Sequence, residues 1–183
     1  MNRIYSVAVS TALIVWPLPL AQARSKPKDA SVAVQAMGVF EQIEARSAEI
    51  ADVAEQLQER SKGPTDPEIY LKGLDTLRFD VNSVGRELKV LDAERASLAS
   101  WEIEALDRTT SLMQDVATNA GKAIETYSTD RNHLWATSYP AVTGKASDEA
   151  DQVKALLAGY LKLAKAHQQM DRLEHDRSGS PQF

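Results

Sequence analysis

Apolar residues recur along this chain at the three- and four-residue spacing of α-helices, and strict alternation of apolar and polar positions is absent. This periodicity predicts an all-α protein. Stretches with glycine and proline at residues 62–67 and 138–145 mark two breaks. A change of phase between residues 92 and 102 predicts a third break, and one continuous helix through this region is the alternative. The expected helices lie at about residues 30–62, 67–95, 99–130 and 147–175.

The first two helices carry apolar residues in alternating steps of four and three, which is the heptad rhythm of coiled-coil packing. In the first helix this stripe is Ala36, Phe40, Ile43, Ser47, Ile50, Ala54 and Leu57. In the second helix it is Tyr70, Leu74, Leu77, Val81, Val84, Leu88 and Leu91. We expect both stripes to form the core.

The stripes of the last two helices are less regular. If the phase of the second helix continued, the third would bury Glu102, Thr109 and Asn119, which make a poor core. The phase shifted by one residue is therefore predicted, with Ile103, Leu106, Thr110, Met113, Ala117, Ala120, Ile124 and Tyr127. In the fourth helix the predicted stripe is Val153, Leu156, Tyr160, Leu163, His167 and Met170.

Four helices of similar length with short connections predict an antiparallel up-down-up-down four-helix bundle with heptad seams. The bundle would occupy residues 30–176 as one domain, between a short basic leader at residues 24–29 and a disordered tail at residues 177–183. The alternative is an elongated helical hairpin that completes its core by forming a homodimer.

Residues 1–23 have the features of a secretory signal peptide. Arg3 supplies a basic start, an apolar run follows, and Ala21–Ala23 form a small-x-small cleavage site before Arg24. The apolar run is shorter than the roughly 20 residues of a membrane-spanning helix and contains two prolines. We therefore expect cleavage, export, and a mature protein in the periplasm or the extracellular space.

The composition narrows the range of functions. The chain has no cysteine, which excludes disulfides, iron–sulfur clusters, cysteine zinc sites and a lipid-modified N-terminal cysteine. Its formal net charge is −5, whereas nucleic-acid binding calls for a basic face. We expect neither nucleic-acid binding, nor a membrane span, nor a lipid anchor in the mature chain.

Motifs for catalysis or metal binding are not found. The sequence has no GxSxG nucleophile and no phosphate-binding loop, and it lacks the paired Glu-x-x-His motifs of di-iron bundles. His133 is expected near the opposite end of the antiparallel bundle from His167 and His175, and those two are about two helical turns apart. One metal ion therefore cannot bind all three. We therefore predict that the protein is not an enzyme and has no metal site.

Met37 and His167 are the candidate ligand pair. In the predicted bundle the start of the first helix lies beside the end of the fourth, which brings these two residues together. This arrangement resembles cytochrome b562, an exported four-helix bundle whose haem is held by a Met early in helix one and a His late in helix four. The resemblance implies haem b with Met37 and His167 as axial ligands. The alternative is a neutral, hydrogen-bonded His167 near the bundle end.

These observations lead to two functional hypotheses. The first is an exported, non-enzymatic helical bundle without a cofactor, acting by protein–protein or cell-envelope interaction with an unidentified partner. The second is a haem-b electron carrier.

Overall fold

The computed structural model describes residues 27–63 and 66–178, with side chains from residue 35 to residue 174. The predicted signal peptide at residues 1–23 lies outside the described residues, as do residues 24–26 of the predicted leader and residues 179–183 of the predicted tail. Residues 27–29 and 177–178 are helical. Within the described ranges the chain forms four α-helices and no strand, so the all-α prediction is confirmed. The helices are α1 (Pro27–Arg60), α2 (Glu68–Ala93), α3 (Ser100–Asp130) and α4 (Tyr139–Ser178).

The four helices pack in a closed ring. α1 packs against α2 and α4, and α3 packs against the same two helices. Hydrogen bonds between α1 and α4, and between α3 and α4, run across antiparallel neighbours: Ser147 Oγ donates to the Ala51 carbonyl at 3.0 Å, and Asn119 donates to Glu149. These contacts confirm the predicted four-helix bundle.

The connections between helices are short. α2 and α3 are separate helices, joined through a single 3₁₀ turn at Arg95–Ser97, where the phase change predicted a break. A second 3₁₀ turn, Leu134–Ala136, precedes α4. Leu134 is buried there and closes that end of the bundle.

The core of α1 and α2 follows the predicted stripes. All seven stripe residues of α1 are buried, and on α2 every one is buried except Val81, which is half-buried. Because large aliphatic and aromatic side chains occupy these heptad positions, apolar burial fixes which face of each helix points inward.

The predicted stripe of α3 is wrong in part. Thr110 is only half-buried and Ala117 is exposed, whereas Thr109 is buried. The buried residues combine both phases in steps of four and three: Glu102, Leu106, Thr109, Met113, Val116, Ala120, Ala123 and Tyr127. The core therefore accepts polar residues, because some of them make hydrogen bonds that offset the cost of desolvation.

The predicted start of α4 is also wrong. The helix begins at Tyr139 rather than near residue 147, so residues 139–145 are its first two turns and not a loop. Pro140 fits there because the first turn of a helix leaves its N–H groups unpaired, so a missing N–H costs nothing. Thr137 Oγ1 accepts a hydrogen bond from the Tyr139 N–H at 3.2 Å and caps the turn.

The inward face of α4 differs from the predicted stripe. Val153 is buried as predicted, but Leu163, His167 and Met170 are exposed. The buried residues are Tyr139, Thr143, Ala146, Ala150, Val153, Leu157, Leu161 and Ala164. Most of these side chains are small, so they give a weak hydrophobic signal in the sequence.

Two helices extend beyond the four-helix core. Near the α2–α3 connection, Trp101 packs against Phe40 and Tyr160, with ring centroids 6.2 and 6.4 Å apart. The start of α1 at residues 27–39 and the end of α4 at residues 165–178 form this end of the molecule, where Gln168 contacts Met37 and Ala36 is still buried. We call these two segments the projecting pair. Its α4 segment is about 20 Å long at 1.5 Å per residue.

Candidate functional site

The projecting pair contains both predicted haem ligands. Met37 is half-buried, and its Sδ accepts a hydrogen bond from Gln168 Nε2 at 3.1 Å. The start of α1 and the end of α4 are therefore adjacent, as expected from the antiparallel bundle. His167 is exposed to solvent.

The surroundings of Met37 and His167 do not fit a buried haem. Gln168, rather than His167, contacts Met37, and consecutive residues on a helix point about 100° apart. An axial haem ligand in a bundle points inward between the helices, whereas His167 is exposed to solvent. The assignment of Met37 and His167 as ligands stays a prediction that this geometry does not favour.

Glu102 is the most deeply buried carboxylate among the described residues. Its Oε2 accepts a hydrogen bond from the Ala99 N–H at 2.7 Å, while its Oε1 has no hydrogen-bond partner among those residues. Burial raises the pKa of Glu102 above its usual range, and the hydrogen bond from Ala99 opposes this shift. Glu102 therefore acts as part of the N-terminal cap of α3, because it accepts the backbone N–H of Ala99.

Two further polar contacts hold the helices in register. Arg46 on α1 reaches Asp80 on α2, with Nη1 3.3 Å from Oδ1, and its Nε lies 3.6 Å from Glu87 Oε1. Asn119 on α3 donates to both carboxylate oxygens of Glu149 on α4, at 3.0 and 2.8 Å. Asp80, Asn119 and Glu149 are each partnered across a helix interface, as structural contacts are, whereas Arg46 Nε and Glu87 Oε2 have no hydrogen-bond partner among the described residues.

A cluster of three tyrosines closes the end of the bundle where α1 meets α2. Tyr70 lies 5.6 Å from Tyr139 and 6.2 Å from Tyr127, measured between ring centroids. Tyr70 donates its hydroxyl to the Arg60 carbonyl and Tyr127 donates to the Pro67 carbonyl, each at 2.9 Å. The Tyr139 hydroxyl is buried without a hydrogen-bond partner among the described residues, and burial raises its pKa.

A groove of about 500 Å³ runs between α2 and α3. Leu88 and Met113 are among its apolar lining residues, and Arg95 and Asp107 form an ion pair at its rim. The guanidinium of Arg95 lowers the pKa of Asp107. Because Arg95 and Asp107 pair with each other, neither charge is free to orient a ligand in the groove.

Metal and membrane features are missing from the described part of the chain. No group of three or more His, Cys, Asp or Glu side chains there is placed to hold a metal ion. Within the same residues, no helix combines the length and the hydropathy needed to cross a lipid bilayer.

The outward side of α4 carries an exposed apolar stripe. Leu163, Met170 and Leu173 are 61%, 54% and 68% exposed. Ala166 lies on this stripe between Leu163 and Met170, and Gly159 and Ala155 continue it toward the helix start in steps of four. All three are exposed. We call these six residues the α4 outer face. None is charged, although 26% of all residues in the chain are.

Sequence reasoning missed the α4 outer face because it placed Leu163 and Met170 in the core. The signal was present in the sequence as two stripes on opposite sides of one helix, a bulky one and one rich in alanine. The stripe that faces the core combines Ala146, Ala150 and Ala164 with larger residues such as Leu157 and Leu161.

Comparison with protein-family models, curated proteins and solved structures finds no match to this chain. The fold and the surface alone therefore define its class, which is an all-α four-helix bundle with a two-helix projection and an exposed apolar helix face.

Proposed function

We propose that this chain is an exported, non-enzymatic helical-bundle protein without a resident cofactor, and that it acts by protein–protein or cell-envelope contact. The α4 outer face is the contact surface. The observation that carries this proposal is the exposure of Leu163, Met170 and Leu173 on one uncharged face.

The energetics of the exposed face favour a partner. Burying a large apolar side chain stabilises an assembly by about 1.5 to 3 kcal/mol relative to leaving it in water. Three such side chains in line on one helix form a contiguous patch, and patches of this kind mark interaction sites more often than isolated exposed residues do. Contact along the α4 outer face would bury all three together.

The absence of enzymatic activity is supported by the roles of the buried titratable groups. Glu102 caps α3, and Tyr139 packs within the tyrosine cluster. Neither of them belongs to a nucleophile–base pair of the kind that supports covalent catalysis.

Export is supported by the sequence of residues 1–23, with its basic start, apolar run and small-x-small site. These residues lie outside the described part of the structure. Export would place the α4 outer face among partners in the periplasm or the extracellular space.

Photo-crosslinking in cells tests the contact surface. A photoreactive amino acid at Leu173 should give adducts, whereas the same amino acid at Leu71, a 49% exposed leucine on α2, should give none. Equal adducts from both positions, or none from Leu173, would refute the assignment of the surface.

Export is tested separately by fractionation. We expect the chain outside the cytoplasm, with an N-terminus at Arg24 on sequencing of the mature protein. Retention of the intact chain in the cytoplasm would contradict export.

A further inference from the structure

The groove between α2 and α3 has an apolar floor. Leu88 and Met113 line it and are buried, and Val81 beside them is half-buried. On α2 the lining runs from Val81 to Asp92, which is about 16 Å at 1.5 Å per residue. The volume of about 500 Å³ falls within the roughly 300 to 1,000 Å³ of small-molecule sites. The groove therefore has the size and the apolar lining of a ligand site.

The charged residues of the groove are unevenly distributed. Among the described residues, three cations and two aspartates line it, which leaves one net positive charge in a chain whose formal net charge is −5. Arg95 lies 3.0 Å from Asp92 and also pairs with Asp107. This ion-paired group joins the end of α2 to α3 and closes the groove near the α2–α3 connection.

The other two cations, Arg86 and Lys89, have no carboxylate partner among the described residues. Arg86 Nη2 donates to the neutral Ser83 Oγ at 2.8 Å, so its charge is not neutralised. The two residues are three positions apart on α2 and therefore neighbours on its surface. The α3 side of the groove carries the uncharged Thr110 and Gln114. One rim of an apolar groove thus holds two adjacent, unneutralised cations.

We propose that the α2–α3 groove binds an anionic amphiphile with one alkyl tail, of the fatty-acid class. The tail lies along the floor over Leu88 and Met113, and the carboxylate lies at Arg86 and Lys89. Burial of the tail removes apolar surface from water, both of the ligand and of the groove. The carboxylate accepts charge-assisted hydrogen bonds from the guanidinium and the ammonium group.

The geometry of the groove selects this class of ligand. Its length along the helices suits an extended alkyl tail, and its floor offers that tail apolar contacts. The two unneutralised cations favour an anionic head over a neutral one and repel a cationic one. Ser83 holds the Arg86 guanidinium in place before a ligand arrives, which lowers the entropic cost of binding.

Calorimetric titration of the full chain tests the head group. Decanoate, decan-1-ol and decyltrimethylammonium have the same tail and differ in head charge, and each is used below the concentration at which it forms micelles. We expect decanoate to bind saturably and at least about tenfold more tightly than the other two, because hydrogen bonds to charged groups are the stronger ones. No binding of decanoate, or equal binding of all three, would overturn the proposal.

Substitution of the two cations tests where the carboxylate lies. The combined Arg86→Gln and Lys89→Gln variant should bind decanoate at least about tenfold more weakly and decan-1-ol as the parent does. Lys72→Gln is the matched control, because Lys72 is an exposed cation on α2 about 25 Å from Lys89 along the helix. Unchanged decanoate binding in the double variant, or an equal loss in Lys72→Gln, would contradict the assignment.

Filling the groove tests where the tail lies. Ala117 lines the groove and is exposed, so Ala117→Phe should keep the helicity of the parent and lose decanoate binding. Decanoate binding at the parent affinity in Ala117→Phe would place the tail elsewhere and overturn the proposal. The groove contains no residue of α4, so its ligand and the contact surface at Leu173 are tested independently.

Discussion

Substituting the three clustered tyrosines with phenylalanine separates a buried hydroxyl that has a partner from one that has none. Tyr139→Phe removes a buried hydroxyl without a hydrogen-bond partner among the described residues. Tyr70→Phe and Tyr127→Phe each remove a hydroxyl that donates to a carbonyl at 2.9 Å. The same chemical change is thus made three times within one aromatic cluster.

The expected magnitudes follow from the cost of unmet hydrogen bonds. A buried polar group without a partner costs about 1 to 3 kcal/mol, and a net hydrogen bond contributes about 0.5 to 1.5 kcal/mol. The small void left by the lost oxygen offsets part of the gain in Tyr139→Phe. We expect this variant to be neutral or more stable by about 1 kcal/mol, and the other two to be less stable by about 1 kcal/mol each.

Urea unfolding followed by circular dichroism measures these differences. For a chain of this size a change of 1 kcal/mol moves the thermal midpoint by about 2 to 4 °C, which a parallel thermal scan resolves. If Tyr139→Phe destabilises the chain as much as Tyr70→Phe does, the hydroxyl of Tyr139 has a partner and the reasoning is refuted.

Three further predictions concern other regions of the chain. Burial raises the pKa of Glu102 above its usual value of 4.5. The folded state should therefore lose stability as the pH rises from 4.5 to the pKa of Glu102 in the folded protein. Urea unfolding at several pH values should show this loss in the parent chain and not in Glu102→Gln. Gly85→Ala should stabilise α2 by about 0.5 to 1 kcal/mol in thermal unfolding, because the added Cβ meets open space. Gly73→Ala should show no such gain, because its Cβ would lie 2.8 Å from Leu57 Cδ2. Haem titration should give no Soret shift that depends on His167, and a shift lost in His167→Ala would instead restore the electron-carrier hypothesis.

The sequence predicted the fold well where large apolar side chains occupy heptad positions. The stripes through Phe40 and Leu77 are such cases, because burial of large apolar surface leaves one favourable orientation of each helix. The break between α2 and α3 was also predictable, since a heptad phase cannot shift by a residue without a turn or a change in winding.

The orientation of α4 could not be predicted in the same way. Its inward positions include Ala146, Ala150 and Ala164, whose small side chains contribute little to a hydrophobic pattern. Leu163 and Met170 give a stronger signal, and they lie on the opposite side. Large apolar residues occur both in cores and on exposed faces, so Leu163 and Met170 alone did not identify the inward side of α4.

The start of α4 and the polar core of α3 were missed for local reasons. A proline after a helix usually indicates that the helix has ended, so the sequence predicted a loop at Pro140. With Thr137 as the capping residue before it, Pro140 instead lies in the first turn of α4. Asn119 appeared unsuited to burial because its partner, Glu149, lies 30 residues away in the sequence. Such pairs become visible only when the register between two helices is known.

The central claim is that a partner covers the α4 outer face where the protein acts. Maleimide labelling of Leu173→Cys tests this claim most directly. The account predicts slow labelling in intact cells and fast labelling of the dilute purified protein, with Leu71→Cys labelled equally fast in both. Equally fast labelling of Leu173→Cys in both settings would contradict it, because the face would then be open to solvent in the cell.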